Sequence, residues 1–151
     1  MKDFVILVGL PGSGKTTYAQ NAYPDYTRLS FDSIREEMGI MTEDEKRMGT
    51  PEQEAMMRDV FQKRLSNAIS EGKEIVIDNT NLKRKYRKQL VDMARKNGYN
   101  VSIVIVKTLS LKENIHRRAG QISPDVIVRM AEGYEYPQPD EYDTIKTHIS
   151  E

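Results

Sequence analysis

The amino-acid sequence predicts an α/β fold of three layers, a mainly parallel sheet of four to five strands flanked by helices. Two observations carry this. Aliphatic runs alternate with amphipathic, capped segments along the chain, the order that builds βαβ units. The first aliphatic run, Phe4 to Val8, is continuous rather than alternating, as suits a strand buried on both faces. No linker, internal repeat or low-complexity tract divides the chain, so residues 1–151 read as one domain.

The elements follow in order. After the first strand, glycines and a proline force a turn, and a helix is expected from Lys15 to about Tyr23. A short strand ends near Ser30, and a helix runs from Asp32 to Met38, stopped by Gly39. Ile40 to Gly49 is polar with scattered methionines and reads as a mobile connection. Thr50-Pro51-Glu52-Gln53 supplies a cap, a first-turn proline and a capping-box glutamine for a long helix ending at Gly72. Glu74 to Ile77 is the third strand, a helix spans about Lys83 to Asn97 with Gly98 as its C′ residue, and Val101 to Val106 is the fourth strand. Ser110 to Glu113 is a second capping box, for a helix toward Arg118. Ser123-Pro124-Asp125 opens a further helix ending at Gly133, and Thr144 to Ile149 reads as a fifth strand.

The chain has 151 residues, enough for one core that buries roughly 70% of the unfolded surface. Lys plus Arg and Asp plus Glu both number 23, so any attraction to nucleic acid or membrane must be local. Cysteine is absent, which excludes disulfides and thiolate metal sites. No apolar run reaches the roughly 18 residues of a membrane helix, and Met1-Lys2-Asp3 opens directly onto a strand. A cytoplasmic protein is expected, with no membrane partner.

"GLPGSGKTT", Gly9 to Thr17, matches G-x-x-x-x-G-K-[ST] between a strand and a helix, the context that pattern needs. Its glycines let consecutive backbone N–H groups converge on phosphate oxygens, and the helix start adds a positive dipole end. Gly12, Ser13, Gly14, Lys15, Thr16 and Thr17 are the expected nucleotide-binding residues, with Lys15 on the β and γ phosphates and the Thr16 hydroxyl on Mg²⁺. "EIVIDNTN", Glu74 to Asn81, delivers Asp78 to the C-terminal edge of the sheet, as support for the Mg²⁺ shell or as the cap of the following turn. Asn79, Thr80 and Asn81 add polar groups able to hold a substrate phosphate.

No N-K-x-D guanine-reading tetrapeptide occurs, which argues against a GTPase. A motor or AAA-type ATPase usually needs a larger module and a neighbour's arginine. A kinase needs a lid that excludes water. Residues His116 to Arg129 suit a helical lid, about residues 116–130, whose Arg117, Arg118 and Arg129 surround a break at Gly120. Arg118 is the favoured contact to the transferring phosphoryl group. Asp32, just beyond the second strand, suits a general base, and Arg35, one turn on, an anion clamp. The two need not bond each other, and Glu36 and Glu37 are expected to carry the solvated face. Lys83 to Lys88 is a basic cluster with Tyr86 inside it, readable as a solvated helix face or as a track for nucleic acid.

Taken together and in this order, "GLPGSGKTT", "FDSIR", "IDNTN" and "RRAGQISPDVIVRM" resemble the kinase domain of bacteriophage-type polynucleotide kinases, over Phe4 to about Met130. The resemblance implies a P-loop kinase fold and ATP-dependent phosphorylation of 5′-hydroxyl ends of DNA or RNA, with ATP as phosphate donor and Mg²⁺ as cofactor. It matches Lys15 and Thr16 to phosphate and metal, Asp32 to the general base, Arg35 to the neighbouring substrate phosphate, Asp78 to the D-x-T-N aspartate and Arg118 to the lid arginine. Asn114 stands where related kinases often carry a further arginine, which implies fewer phosphate contacts there. No D-x-D-x-T/V phosphatase motif occurs, so a stand-alone kinase is expected. A kinase for a nucleoside, nucleotide, sugar or hydroxymethyl base, and a nucleotide-dependent switch without phosphotransfer, are the alternatives.

Overall fold

The computed structural model describes residues 1–40 and 49–151 of the chain. The strands are β1 (Asp3–Val8), β2 (Thr27–Leu29), β3 (Ile75–Ile77), β4 (Asn100–Lys107) and β5 (Thr144–Ile149). They form one sheet of order β2-β3-β1-β4-β5 in which every neighbouring pair is parallel. The helices are α1 (Lys15–Ala22), α2 (Phe31–Glu37), α3 (Pro51–Ser70), α4 (Arg84–Lys96), α5 (Leu111–Arg117) and α6 (Pro124–Glu132). The expected order of elements is thus present, and the fifth strand joins the sheet at its edge. Most of the connection expected over Ile40 to Gly49 falls on residues 41–48, which lie outside the described residues.

The central strand explains the layering. Phe4 to Val8 are all essentially inaccessible, and they serve both faces in alternation. Phe4, Ile6 and Val8 pack in a cluster with Met57, Phe61 and Leu65 of α3 and Leu90, Val91 and Ala94 of α4. Val5 and Leu7 turn the other way, against Ala19 of α1, with Tyr18, Tyr23 and Tyr26 at the margin. A strand buried on both sides has no polar face to alternate, which is why its sequence is a continuous apolar run.

The caps divide between the expected and the altered. Thr50 and Gln53 form a full reciprocal capping box at the start of α3. At α5 only half of one forms: Ser110 accepts from the Glu113 N–H, but the Glu113 carboxylate takes the Arg117 guanidinium at 3.1 Å instead of returning to Ser110. Ser123 makes no side-chain cap at α6. A 3₁₀ turn at Pro139–Glu141, within the acidic tail, had no expected counterpart, and it has a clear task.

That turn carries Glu141 into the interior to meet Arg87, the largest fully buried side chain. Arg87 Nε donates to Glu141 Oε1 at 2.6 Å and its Nη1 to the Asn81 carbonyl at 2.9 Å. Arg84 reaches both Asp140 and Glu141 from the exposed side, at 2.6 and 2.9 Å. The basic cluster is therefore no continuous solvated face: two of its arginines bind the C-terminal segment to α4. Burial alone would raise the Glu141 carboxyl, but hydrogen bonds from Arg87, the Gln138 N–H and Arg84 outweigh it and hold it below the usual range. The pair therefore contributes stability that is fully present above the unfolded carboxylate value of about 4.3 and is lost as pH falls from there through the lower folded value. Glu141→Ala, which strands a buried guanidinium, is expected to cost about 3–5 kcal/mol. Thermal melts at pH 7 would register this as a loss on the order of 10 °C, and the deficit should shrink toward pH 4; a variant that melts with the parent would refute the assignment.

Candidate active site

The P-loop runs from the end of β1 to the start of α1 at the C-terminal edge of the sheet. Two positions demand glycine. A Cβ on Gly9 would lie 2.4 Å from the Val106 carbonyl oxygen, and Gly12, at φ +79°, would put one 2.8 Å from the Asn114 oxygen. The loop is held from several sides. The Gly9 N–H donates to the Thr80 carbonyl at 3.0 Å. Asn114 of α5, almost wholly buried, donates Nδ2 to the Pro11 carbonyl at 2.9 Å and accepts from the Thr108 hydroxyl at 2.6 Å. The residue expected to leave phosphate contacts fewer is thus a brace for the loop. Arg117 donates to the Gly12 carbonyl, and the Ser150 hydroxyl donates to the Ser13 carbonyl at 2.6 Å.

Lys15 is half-buried, and its Nζ donates to the Gly9 and Leu10 carbonyls at 3.0 and 3.1 Å. Burial pulls its ammonium down to about 8; Asp78 opposes that, Arg118 reinforces it and Asp32 opposes it. These four groups come from four separate segments, and each lies close enough for its charge to act on Lys15. The Thr16 hydroxyl donates to Asp78 Oδ2 at 2.8 Å, so an alcohol and a carboxylate oxygen stand side by side. This is a hard-oxygen pair of the kind Mg²⁺ accepts when phosphates complete its shell. No cluster of three or more His, Cys, Asp or Glu able to hold a metal occurs among the described residues.

Asp78 is buried, and the same Oδ2 also receives Arg28 Nη1 at 2.9 Å, while Arg28 Nη2 reaches the Ser33 hydroxyl at 3.2 Å. The Phe31 N–H donates to the Asn79 side chain at 2.8 Å, fixing the start of α2 against the β3 edge. Asn81, at φ +48°, turns its amide inward to the Leu7 carbonyl at 2.7 Å, and Thr80 offers its carbonyl to Gly9.

Asp32 is exposed on α2. Although nothing required the two to bond, Arg35 Nη1 donates to Asp32 Oδ1 at 2.8 Å, an i,i+3 pair on α2. The rest of that guanidinium is taken by the buried Glu54, with Nε and Nη2 at 3.0 and 2.7 Å. The Arg35 hydrogen bond, with the Gly49 N–H, holds the Glu54 carboxyl low against its burial. Glu37, expected to be solvated, pairs with Arg64 at 2.5 Å on the surface, whereas Glu36 is exposed. On the lid segment, Arg118 donates to Gln121 at 3.0 Å and its Cγ lies 3.2 Å from the Cβ position of Gly12. Arg129 is exposed and donates to the Asp125 carbonyl. Beyond Thr17, a cavity of about 410 Å³ opens between α1 and the end of β5, lined by Tyr18, Asn21, Arg117 and His148 among others. The Tyr18 and His148 rings lie 4.6 Å apart.

Arg28, Glu54 and Ser150 were not singled out from the sequence, and no spacing marks them. Each acts through a partner distant in the chain.

A family model described as an AAA domain matches residues 4–137. The chain belongs to that family. The short chain argued against an AAA-type ATPase, and the family carries that name; two curated relatives are named as kinases. A protein of Acanthamoeba polyphaga mimivirus, named as a bifunctional polynucleotide phosphatase/kinase, is 28% identical over 110 residues, covering 71% of this chain and 21% of its own length. The L-seryl-tRNA(Sec) kinase of Methanococcus maripaludis is 28% identical over 144 residues, covering 88% and 52%. The AAA-domain chain thus spans from a fifth to a half of these relatives. Among solved structures, the Pnkp1/Rnl/Hen1 RNA repair complex matches with TM-score 0.73 at 19% identity, covering 87% of this chain and 43% of that one. A gluconokinase from Sinorhizobium meliloti matches with TM-score 0.65 at 18% identity, covering 97% and 82%. Both share the three-layer α/β fold. No helix among the described residues is long and apolar enough to cross a membrane.

Two outcomes follow from this geometry. Phosphate contact favours protonated Lys15, so affinity for a nucleoside triphosphate should be level up to about pH 8 and fall above it. A drop of roughly tenfold from pH 8 to 9.5 is expected, read as a Kd by calorimetry at fixed Mg²⁺, and a level profile in that range would count against it. Asn114→Leu keeps the volume but leaves the Pro11 carbonyl without its donor, while the Thr108 hydroxyl keeps only the Ser110 carbonyl at 2.6 Å. A stability loss on the order of 1–3 kcal/mol is expected, with weakened nucleotide binding; unchanged affinity would show that the brace is dispensable.

Proposed function

We propose that the chain is an ATP- and Mg²⁺-dependent kinase that transfers the γ-phosphoryl group to the 5′-hydroxyl end of DNA or RNA, as bacteriophage-type polynucleotide kinases do. The observation that carries the reading is the place of Asp32, exposed at the start of α2 and near enough for its charge to act, more weakly than that of Asp78, on the P-loop ammonium of Lys15. A phosphotransferase needs an acceptor-side base at that place, and a nucleotide switch does not.

In this reading Gly12, Ser13, Gly14, Lys15, Thr16 and Thr17 cradle the phosphates, with backbone N–H groups and the α1 dipole on the oxygens. Thr16 and Asp78 would hold Mg²⁺, which would offset charge on the β and γ phosphates. Asp32 takes the proton of the attacking hydroxyl, while Arg35, bonded to Oδ1 at 2.8 Å, orients that carboxylate. Lys15 and Arg118 stabilise the charge on the phosphoryl group in flight. Residues 116–130 act as the lid, and the cavity beside Tyr18 and His148 receives the nucleoside. Thr80 and Asn81 serve the substrate side mainly by fixing the β3 edge, since their polar groups bond Gly9 and Leu7.

A second reading rests on Arg35. Its guanidinium is occupied by Glu54 and Asp32, which favours an acceptor that presents a hydroxyl without a neighbouring phosphate. The relative named as an L-seryl-tRNA(Sec) kinase is consistent with this.

Labelled γ-phosphate from ATP should appear on the 5′ end of an oligonucleotide, and Asp32→Asn should lower the rate by roughly 10² to 10⁴-fold with little change in ATP affinity. Turnover of ATP onto free serine, nucleosides or sugars with no labelled oligonucleotide would favour the second reading.

A further inference from the structure

We propose that the first turn of α4 is a docking step for the single-stranded acceptor, in which Tyr86 stacks on a base and Lys85 meets the phosphate that follows. The inference deepens the polynucleotide reading and rests on it.

The sequence cluster from Lys83 to Lys88 is divided by the fold. Arg87 is buried on Glu141, Arg84 is paired with Asp140 and Glu141, and Lys83 Nζ donates to the Gly133 carbonyl at 2.6 Å. Lys88 lies near enough to Asp140 for its charge to act there. Lys85 and Tyr86 remain. Tyr86 is a large ring 58% exposed, and Lys85 Nζ stands 5.9 Å from its centroid. A tyrosine left open beside a lysine matches the alternation of base and phosphate in a single strand, where the ring takes a π-face and the ammonium an anion.

Placement supports the same occupant. α4 follows β3, so its first turn stands at the C-terminal edge of the sheet, the edge that carries the P-loop and Asp32. At about 100° per residue, Tyr86 lies roughly 160° round the helix from Arg84. Arg84 faces the 3₁₀ turn, on the β5 side of the sheet, so Tyr86 occupies the opposite flank, toward β2 and α2. A strand whose 5′ end reaches Asp32 would leave the cleft across that flank. The chain has no net charge, so this attraction is local and its salt dependence should be shallow.

Binding of a 3′-labelled 5′-hydroxyl oligo(dT) of ten nucleotides, followed by anisotropy at two salt concentrations, tests the surface apart from catalysis. Tyr86→Ala should raise Kd about tenfold, Tyr86→Trp should keep or tighten it, and Lys85→Glu should weaken binding and flatten the salt dependence. Lys96→Glu, exposed in the last turn of α4, should stay within twofold of the parent. Phosphorylation of a nucleoside 3′-monophosphate, too short to reach Tyr86, should keep its kcat/KM in the Tyr86→Ala protein. The proposal is overturned if the parent does not bind the oligonucleotide, if Tyr86→Ala binds as the parent does, or if that variant loses the mononucleotide acceptor equally. Tyr86-dependent binding with no phosphorylation of any 5′ end would uphold the surface and overturn the polynucleotide kinase reading.

Discussion

The parallel pairing of β1 with β3 is the constraint on which the site depends. Phe4 aligns with Ile75 and Ile6 with Ile77, so both strands end at one edge and release their chains side by side. One chain becomes the P-loop, and the other becomes Asp78 and the turn after it. The Thr16–Asp78 hydrogen bond is the local result of that register, and the Gly9–Thr80 bond repeats it one step away. A slip of β3 by one residue would put Ile77 or Asn79 in the place where Asp78 meets Thr16. The aliphatic strands thus set chemistry they do not perform.

Charge placement follows a second rule: the guanidinium groups around the cleft mostly meet carboxylates. Arg28 lies on Asp78, Arg35 on Glu54 and Asp32, and Arg87 on Glu141. Arg35 joins α2 to α3, Arg87 joins α4 to the C-terminal segment, and Arg28 joins β2 to the end of β3. Buried pairs of this kind add little net stability but are costly to break singly, so they fix geometry more than they hold the fold together.

The sequence made the architecture legible where local physics dominates. Phe4 to Val8 announced a doubly buried strand, Thr50 to Gln53 a helix start, and Gly9 to Thr17 a phosphate loop, because each signal lies within a few residues. Of the candidate site, Asp32, Asp78 and Arg118 lie near enough for their charges to act on Lys15 and Thr16 bonds Asp78, while the roles given to them belong to the proposal. What escaped was long-range. Glu54 looks like any first-turn glutamate until Arg35 arrives from α2, and Arg87 looks like one basic residue among five until the 3₁₀ turn brings Glu141 to it. Asn81 reads locally as a polar group for substrate, and no neighbour in sequence signals that its amide turns to Leu7.

The hydrogen bond from Ser150 to Ser13 joins positions 137 residues apart. Arg117 grips the same Ser150 hydroxyl while it holds the Gly12 carbonyl, so the nucleotide loop is buttressed by the last strand of the sheet. During synthesis the loop emerges well before its buttress. A contact of such high sequence separation closes slowly and late. Competence to hold a triphosphate is thereby tied to completion of the sheet, and a chain interrupted before β5 would carry the motif intact without its support.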